Sequence, residues 1–216
     1  MYKTEESFSW YSGWSEISPF FQELVPPSRP ESTSKGISKE LNKMVSNKIL
    51  IPGIGNDASM VEMYDSGYTQ MYAFDYAPEG IECARTLFGP TRIRCDKEPK
   101  MSGVDLRVAD ARELPYDEDY FDAVLEKGTL DAIFLSGGKD KELAAKYLAM
   151  TVSEFSRVVK KGGIVFSVTA ACAGAVKEAF ENDGRWITLR NGDFYVTEDG
   201  YASNNVDASI FAWERI

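Results

Sequence analysis

The sequence ILIPGIGND, residues 49–57, joins a short apolar run to a turn with two glycines. Ile49–Pro52 has the composition of a short buried strand, and Gly53 and Gly55 lie in a turn that leads into a helix. Two glycines there allow backbone dihedrals, and a close approach to a ligand, that a β-carbon would obstruct. The helix N-terminus that follows presents free N–H groups to a polar ligand. With Ala58 the spacing satisfies only a loose dinucleotide fingerprint, so the turn predicts a ligand site without naming the ligand.

Length and charge narrow the class of protein. The chain has 216 residues, which predicts a single domain over 1–216. Its formal charge of −10 argues against nucleic-acid binding, which needs basic patches, and would suit a basic partner through long-range attraction. No apolar run is long enough to span a bilayer and no signal-peptide core opens the chain, so we expect a cytoplasmic protein without a membrane partner.

The side chains available for catalysis are restricted as well. The chain has no histidine, which removes histidine-based triads and most zinc sites. Cys83, Cys95 and Cys172 have no metal-ligand spacing and are too few for a disulfide scaffold. The sequence therefore predicts reduced thiols and no metal site.

Strands and helices are predicted to alternate along most of the chain. The order implies a parallel sheet with helices on both faces, finished by an antiparallel hairpin. An apolar pattern at helical spacing precedes a proline-rich loop that reaches to residue 36. The predicted strands are 49–52, 71–74, 104–109, 121–125 and 164–168, then 186–189, 194–196 and 208–213 in the antiparallel tail; the predicted helices are 38–46, 57–67, 78–87, 139–160 and 172–182.

Acidic residues end three of the predicted strands. Asp75 follows the second strand, Asp110 the third and Glu126 the fourth, while Gly53 follows the first. In parallel sheets ligands bind at the carboxyl ends of strands, near the switch in strand order. The sequence therefore predicts a site for a ligand with several hydroxyl and amino groups.

These motifs together resemble a known family, the class I S-adenosylmethionine-dependent methyltransferases. The shared parts are ILIPGIGN, FDYA (74–77) and VADARELPYDEDYFDAVLEKGTLDAI (108–133). Within that superfamily SFSWYSGW (7–14), YDSGY (64–68) and LEKGTLDA (125–132) are similar to the protein-lysine methyltransferases of elongation factor 1-alpha and their close relatives. The resemblance implies an α/β fold with a doubly wound, mostly parallel seven-stranded sheet and a C-terminal antiparallel hairpin. It also implies S-adenosylmethionine as cofactor and S-adenosylhomocysteine as product.

At the nucleoside end of the cofactor, the resemblance assigns roles to four residues. Asp75 would hold the ribose hydroxyls, with Tyr76 beside the adenine. Asp110 would accept from the adenine amino group, with the Ala111 backbone alongside.

At the methionine end, the same resemblance places Gly53 and Gly55 against the methionine moiety. Glu126 and Lys127 would line the cofactor near its sulfonium and carboxylate. The family's N-terminal arm covers the cofactor with aromatic side chains, and the matching residues here are Tyr2 and Trp10, in an arm or lid over 1–36.

The acceptor is expected at the outer side of the fourth strand. A loop over Gly128–Leu135, Trp14 and the hairpin residues Phe194 and Tyr195 would form an apolar slot for a lysine stem. Asp131 is the candidate catalytic residue, as a guide for the ammonium group. The alternative is that Thr129 and Asp131 cap the next helix. An apolar slot would favour the neutral amine that must attack, because desolvation lowers a lysine pKa.

Three other functions remain open at this point. Gly53, Gly55, Ala58 and Asp75 would also suit an NAD-dependent oxidoreductase. The same methyltransferase fold could act on a small-molecule acceptor instead of a protein with an accessible, basic lysine-bearing surface. A non-catalytic binding module that keeps its cofactor site is the third alternative.

Overall fold

A computed structural model describes residues 11–30, 44–94, 102–195 and 208–216. Tyr2 and Trp10, two of the predicted cofactor contacts, lie outside these ranges. The helices are α1 (Trp14–Leu24), α2 (Ser59–Asp65), α3 (Pro78–Arg92), α4 (Thr129–Leu135), α5 (Lys141–Val158) and α6 (Ala173–Asp183). The strands are β1 (Ser28–Pro30), β2 (Met44–Ser46), β3 (Lys48–Pro52), β4 (Gln70–Asp75), β5 (Gly103–Val108), β6 (Phe121–Lys127), β7 (Val159–Thr169), β8 (Trp186–Tyr195) and β9 (Ala208–Arg215).

Seven of these strands form one sheet in the order β5-β4-β3-β6-β7-β9-β8. The first five are parallel, and β9 and β8 join antiparallel, which confirms the predicted fold class. β3 and β4 are almost continuously buried, as expected for parallel strands covered on both faces. Strand order reverses at β3, because the chain runs from β3 outward to β4 and β5 and then returns to β6 on the other side. Ligands bind at the carboxyl ends of the strands beside such a switch point.

Helices cover both faces of the sheet with separate apolar cores. On one face α1, α2 and α3 pack with Phe21, Met63 and Phe88 buried among them. On the other face α5 and α6 contribute Phe155 and Phe180 to a second buried cluster. The doubly wound arrangement follows from the alternation of strands and helices in the chain.

Helix α1 belongs to the core, although it lies within the segment predicted as an arm or lid. Trp14, Ile17 and Phe21 are all buried, and the Trp14 ring meets those of Phe21 and Tyr68 at centroid distances of 5.9 and 5.6 Å. Trp14 is 5% exposed. It was expected to line a slot for the acceptor, and the structure contradicts that expectation because a buried core side chain cannot contact a bound lysine.

A short antiparallel ribbon replaces two predicted elements near residue 30. The residues after Pro26 were predicted as a loop, yet Ser28–Pro30 pairs with Met44–Ser46. The predicted helix over 38–46 is therefore wrong at its end, and residues 38–43 lie outside the described ranges. A pairing whose near ends, Pro30 and Met44, are fourteen positions apart has no local signature, so tertiary context decides it.

The C-terminal half differs from the predicted boundaries in two places. The predicted loop over Gly128–Leu135 is helix α4, which begins at Thr129. Two predicted tail strands, 186–189 and 194–196, are one strand, β8, up to Tyr195. Gly192 sits in it at φ +80°, next to a register shift, so a bulge accommodates what reads locally as a turn. The described ranges do not extend to the side chains of residues 193–195, so the predicted slot residues Phe194 and Tyr195 stay a prediction.

None of the helices in the described ranges is long and apolar enough to cross a bilayer. The same ranges contain no group of three His, Cys, Asp or Glu side chains arranged to hold a metal ion. Cys83 and Cys172 are free thiols there, and Cys95 lies outside the described residues.

Candidate active site

A cavity of about 630 Å³ opens at the carboxyl edge of the parallel strands. Its volume lies in the range of small-molecule and cofactor sites. It runs from the ends of β4 and β5 at one side to the glycine turn, the start of α4 and Tyr11 at the other. Its lining includes Tyr11, Gly53, Asp75, Tyr76, Asp110, Ala111, Arg112, Lys127, Gly128, Thr129, Asp131, Ile133, Leu135 and Tyr147. A smaller cavity of about 40 Å³ lies around the glycine turn and includes Gly55.

The glycine turn needs its glycines for conformation and for space. Gly53 and Gly55 have φ of +64° and +48°, a region that residues with a β-carbon rarely adopt. A β-carbon at Gly53 would overlap the Thr129 hydroxyl and lie 3.2 Å from the Thr129 methyl carbon. That hydroxyl donates to the Pro52 carbonyl at 2.8 Å, which ties the start of α4 to the end of β3. The backbone of the turn therefore packs closely against the start of α4 and forms the floor of the cavity between two strand ends.

Asp75 clamps this turn from the neighbouring strand. Its two carboxylate oxygens accept from the Gly55 amide at 2.9 Å and from the Ala77 amide at 2.8 Å. Gly80 in α3 leaves room for the carboxylate, since a β-carbon there would lie 2.6 Å from the Asp75 carboxyl carbon. Asp75 is 5% exposed but still lines the cavity. It is therefore placed both to shape the turn and to meet a ligand.

Asp75→Ala should therefore weaken ligand binding and stability together. We expect the affinity for S-adenosylhomocysteine to fall by about 1–3 kcal/mol, the scale of hydrogen bonds to a charged group. We also expect the free energy of unfolding to fall by about 1–2 kcal/mol, because two backbone N–H groups lose their acceptor. Titration calorimetry and thermal denaturation measure the two effects. Asp65→Ala, which removes an exposed carboxylate paired with Arg92, is the control. Unchanged affinity in a folded Asp75→Ala protein would remove Asp75 from the ligand site.

The far end of the cavity holds Asp110, Ala111 and Tyr76. Asp110 lies two residues beyond β5 and forms a bidentate pair with Arg112, with contacts from 2.7 to 3.1 Å. The Arg112 hydrogen bonds and charge lower the Asp110 pKa, so this carboxylate is ionised. The Arg112 guanidinium also lies over the Tyr147 ring, 4.4 Å from its centroid. Tyr76 is 75% exposed at the rim, where a flat ring can cover a bound ligand.

Lys127 connects the glycine turn to the N-terminal segment. Its side chain is 4% exposed and pairs with Asp57 at 2.8 Å. The ammonium also donates to the Ser59 hydroxyl at 2.8 Å and to the Ser12 carbonyl at 2.6 Å. Lys127 lines both cavities. It therefore holds the segment before α1 against the mouth of the site.

Glu126 does not line the cavity, although it was expected to contact the cofactor. Its side chain is fully buried beneath the site, where it accepts from the Ser167 hydroxyl and from the Leu130 amide. Burial raises its pKa from 4.5 to about 8. The direction follows from desolvation, which disfavours the charged carboxylate. Glu126 thus supports the N-terminus of α4 and does not meet a ligand.

The raised Glu126 pKa predicts a pH-dependent stability. An acid whose pKa is higher in the folded than in the unfolded state binds more protons when folded, so stability falls as the pH rises from about 4.5 to about 8. Glu126→Gln keeps the neutral shape and removes this titration. We expect the melting temperature of the wild type, relative to that of the variant, to fall between pH 5 and pH 9. Parallel melting curves over that range would contradict the prediction.

Asp131 is buried in a hydrogen-bond network at the wall of the cavity. It is 2% exposed and accepts four hydrogen bonds. The donors are the Tyr11 hydroxyl at 2.9 Å, the Thr169 hydroxyl at 2.6 Å, the Ala170 amide at 3.1 Å and the Cys172 amide at 2.8 Å. Each carboxylate oxygen accepts two of them. The network joins α4, the end of β7, the start of α6 and the N-terminal segment.

Both expectations for Asp131 are corrected by this network. A carboxylate has about four acceptor positions, and all four are taken, so Asp131 has no remaining capacity to guide an ammonium group. It also does not cap its own helix, because the residue that precedes α4 is Gly128, without a side-chain cap. The Cys172 amide that it accepts precedes α6. Asp131 is a structural acceptor that fixes its neighbours.

Several residues of the site were missed because their neighbours are distant in sequence. Tyr11 lies within the SFSWYSGW motif, which was the available signal, but nothing in its spacing indicated contact with α4. Arg112 and Tyr147 meet across 35 positions. Thr129 was considered only as a helix cap, whereas its hydroxyl bonds the strand end beneath the glycine turn.

The cavity fits S-adenosylmethionine. The Gly53 turn is a cradle that a β-carbon would fill, as required where a ligand lies against the backbone. Asp75 and Asp110 stand at adjacent strand ends, where ribose hydroxyls and an amino group would find acceptors. Tyr76, Ile133 and Leu135 also line the cavity, where they offer flat and apolar surfaces to a planar adenine.

Comparison with known proteins supports this assignment. A family model described as a methyltransferase domain matches residues 50–167, more than half of the chain. The chain is 25% identical over 185 residues to the eEF1A lysine and N-terminal methyltransferase of Xenopus laevis, covering 85% of this chain and 22% of the relative. It is 32% identical over 129 residues to EEF1A lysine methyltransferase 4 of Mus musculus, covering 58% of this chain and 46% of the relative. The chain thus spans about a fifth of the length of the first of these relatives.

Solved structures agree on the fold. Geranyl diphosphate C-methyltransferase from Streptomyces coelicolor A3(2), in complex with S-adenosylhomocysteine, is 12% identical with a TM-score of 0.59, covering 94% of this chain and 79% of that chain. TrmN from Thermus thermophilus is 17% identical with a TM-score of 0.57, and the match covers 79% of this chain and 44% of that chain. At such identities the likeness shows the fold alone. With the domain match and the cavity, the chain belongs to the methyltransferase domain family of class I fold, for which S-adenosylmethionine is the cofactor.

Proposed function

We propose that this protein transfers a methyl group from S-adenosylmethionine to a lysine amine of a protein. The observation that carries the proposal is the cavity at the switch point, built from the glycine turn and the ends of β4, β5 and β6, in a chain of the methyltransferase family. Its relatives at 25–32% identity are named as eEF1A lysine methyltransferases, which supports a lysine acceptor. The formal charge of −10 would attract a basic protein partner.

The chain's own residues mainly bind and orient. Asp75 would hold the ribose, Asp110 and Ala111 the adenine edge, and the Gly53 turn the methionine portion. Bound S-adenosylmethionine supplies a methyl group that takes the acceptor's lone pair while the C–S bond breaks and its electron pair goes to sulfur. The protein contribution to such a transfer is alignment within van der Waals reach. A lysine amine must be neutral to attack. An apolar cavity wall that excludes water lowers the lysine pKa from about 10.4, because desolvation disfavours the charged ammonium form.

Two experiments separate the proposal from its alternatives. Separate titrations with S-adenosylhomocysteine and with NADH show which cofactor the protein binds. We expect binding of S-adenosylhomocysteine and no binding of NADH. Radiolabelled S-adenosylmethionine is then incubated with the protein and either purified eEF1A or a cell lysate. Label on a protein band, located on lysine by mass spectrometry, would support the proposal. Label confined to small metabolites would favour a small-molecule acceptor, and binding without any transfer would favour a non-catalytic module.

A further inference from the structure

Tyr11 lies across the methionine end of the cavity in an unusual conformation. Its φ is +67°, a left-handed value that costs a residue with a β-carbon about 1 kcal/mol or more. Its ring lies over the turn between β6 and α4, where a β-carbon on Gly128 would come within 2.8 Å of the ring. Gly128 itself has φ +75°. Because Gly128 has no side chain, the Tyr11 ring fits against it at the wall of the cavity.

The segment around Tyr11 is held from two directions. The Tyr11 hydroxyl donates to Asp131 at 2.9 Å, across 120 positions of sequence. The next residue, Ser12, is fully buried and accepts from Lys127 through its carbonyl at 2.6 Å. Lys127 ends β6 and Asp131 lies in the first turn of α4, so the two anchors stand on either side of the β6–α4 turn that borders the cavity. The ring position is therefore determined by the site itself.

The donor and the acceptor of the hydrogen bond between Tyr11 and Asp131 are also defined. Asp131 is an acceptor with four donors, so the shared proton belongs to Tyr11. Burial and the neighbouring Asp131 charge raise the Tyr11 pKa, which keeps the phenol protonated. A phenol that donates its proton keeps lone pairs that can accept. Because Tyr11 and Asp131 both line the cavity, the hydrogen bond that joins them lies at its wall.

We propose that Tyr11 is the acceptor-facing residue of the site, that its oxygen accepts an N–H of a primary amine, and that Asp131 is a positioning residue that acts through it. The inference rests on the proposed methyl transfer and names the acceptor chemistry. An amine that donates one N–H to Tyr11 keeps its lone pair for the methyl carbon. The new C–N bond forms as the C–S bond breaks toward sulfur, and the surplus N–H proton passes to solvent. The ring face also suits a substrate that arrives as an ammonium group.

Tyr11→Phe tests this assignment, because it removes the oxygen and keeps the ring. We expect the rate of methyl transfer at saturating S-adenosylmethionine to fall about tenfold, the scale of one lost hydrogen bond in the transition state. We expect the affinity for S-adenosylhomocysteine to stay within about twofold, since the oxygen faces the acceptor and not the cofactor. The matched control is Tyr120→Phe, which removes a hydroxyl bonded to Tyr72 away from the cavity. Its transfer rate should be unchanged.

A double-mutant cycle tests the positioning role of Asp131. If Asp131 acts through Tyr11, Asp131→Asn should lower the transfer rate in the wild type and lower it little further in Tyr11→Phe. Thr169→Val removes another donor to Asp131 without touching Tyr11, and shows what destabilisation of the network alone does to the rate. Rates are measured below the melting temperature of each variant.

Each outcome decides the proposal. Wild-type rates in Tyr11→Phe would overturn it. A parallel loss of S-adenosylhomocysteine affinity would make Tyr11 a cofactor contact, and additive effects in the cycle would return Asp131 to a purely structural role. Absence of transfer by the wild type with eEF1A and with lysate, despite S-adenosylhomocysteine binding, would overturn the proposed function and this inference with it. Transfer by the wild type with an unaffected Tyr11→Phe would overturn this inference alone.

Discussion

Asp131→Ala is expected to lower the free energy of unfolding by about 4 kcal/mol, because four donors around a buried carboxylate would lose their shared acceptor, each at a cost of about 1–3 kcal/mol before relaxation. Two of the donors are backbone amides of Ala170 and Cys172, which cannot turn toward another partner. The other two are the Tyr11 and Thr169 hydroxyls, which can rotate. The loss should therefore be large for a polar-to-apolar change, and it should appear in the protein without any ligand.

The comparison with milder changes makes this prediction specific. Asp131→Asn keeps one acceptor oxygen but turns an N–H₂ toward a backbone donor, so we expect a loss of about 2 kcal/mol. Asp140→Ala is the control, because Asp140 caps α5 by accepting from Leu143 at 3.0 Å on the surface, and its loss should cost about 1 kcal/mol. Denaturant unfolding of the three variants measures the series. An Asp131→Ala protein as stable as Asp140→Ala would show that the buried network contributes little.

Gly53→Ala is expected to reduce the affinity for S-adenosylhomocysteine by about 100-fold, or about 2.7 kcal/mol. The new β-carbon would overlap the Thr129 hydroxyl and would require φ of +64° from an alanine. Relief of the overlap would break the bond from Thr129 to the Pro52 carbonyl and shift the turn that forms the floor of the cavity. Both responses move backbone that a bound cofactor would touch, so binding should suffer more than stability.

The matched control for this prediction is Gly184→Ala. Gly184 has φ of +73° and ψ of 5°, and a β-carbon there would meet no atom of the described residues within 4 Å. It ends α6 outside the residues that line the cavity. The substitution should lower stability by about 1 kcal/mol through its backbone conformation alone and leave affinity unchanged. Calorimetry with both variants separates the two effects. Equal affinities for Gly53→Ala and the wild type would exclude the glycine turn from the cofactor site.

The architecture could be predicted because it depends on local patterns. The apolar run before Gly53, the glycine turn and the acidic strand ends recur in an order that only a parallel α/β sheet accommodates well. Asp75 and Asp110 could be predicted as neighbours for the same reason, since parallel strands bring their carboxyl ends to one edge. The predicted secondary structure was wrong where pairing with a strand distant in sequence overrode the local pattern, as in the β1–β2 ribbon and the bulged β8.

The fold class, the location of the cavity and the carboxylates at two strand ends follow from the sequence, because spacing along a chain sets which side chains share a sheet edge. What those side chains do depends on how the whole chain packs around them. Glu126 is at a strand end like Asp75, yet its side chain is buried beneath the cavity and its pKa is raised, a difference that depends on packing from all sides. Asp131 was predicted to face a substrate, but its acceptors are taken by groups 38 to 120 positions away. The acceptor positions of a buried carboxylate are occupied by the donors that the fold brings near it. Those donors are distant in sequence, so no local sequence pattern identifies them.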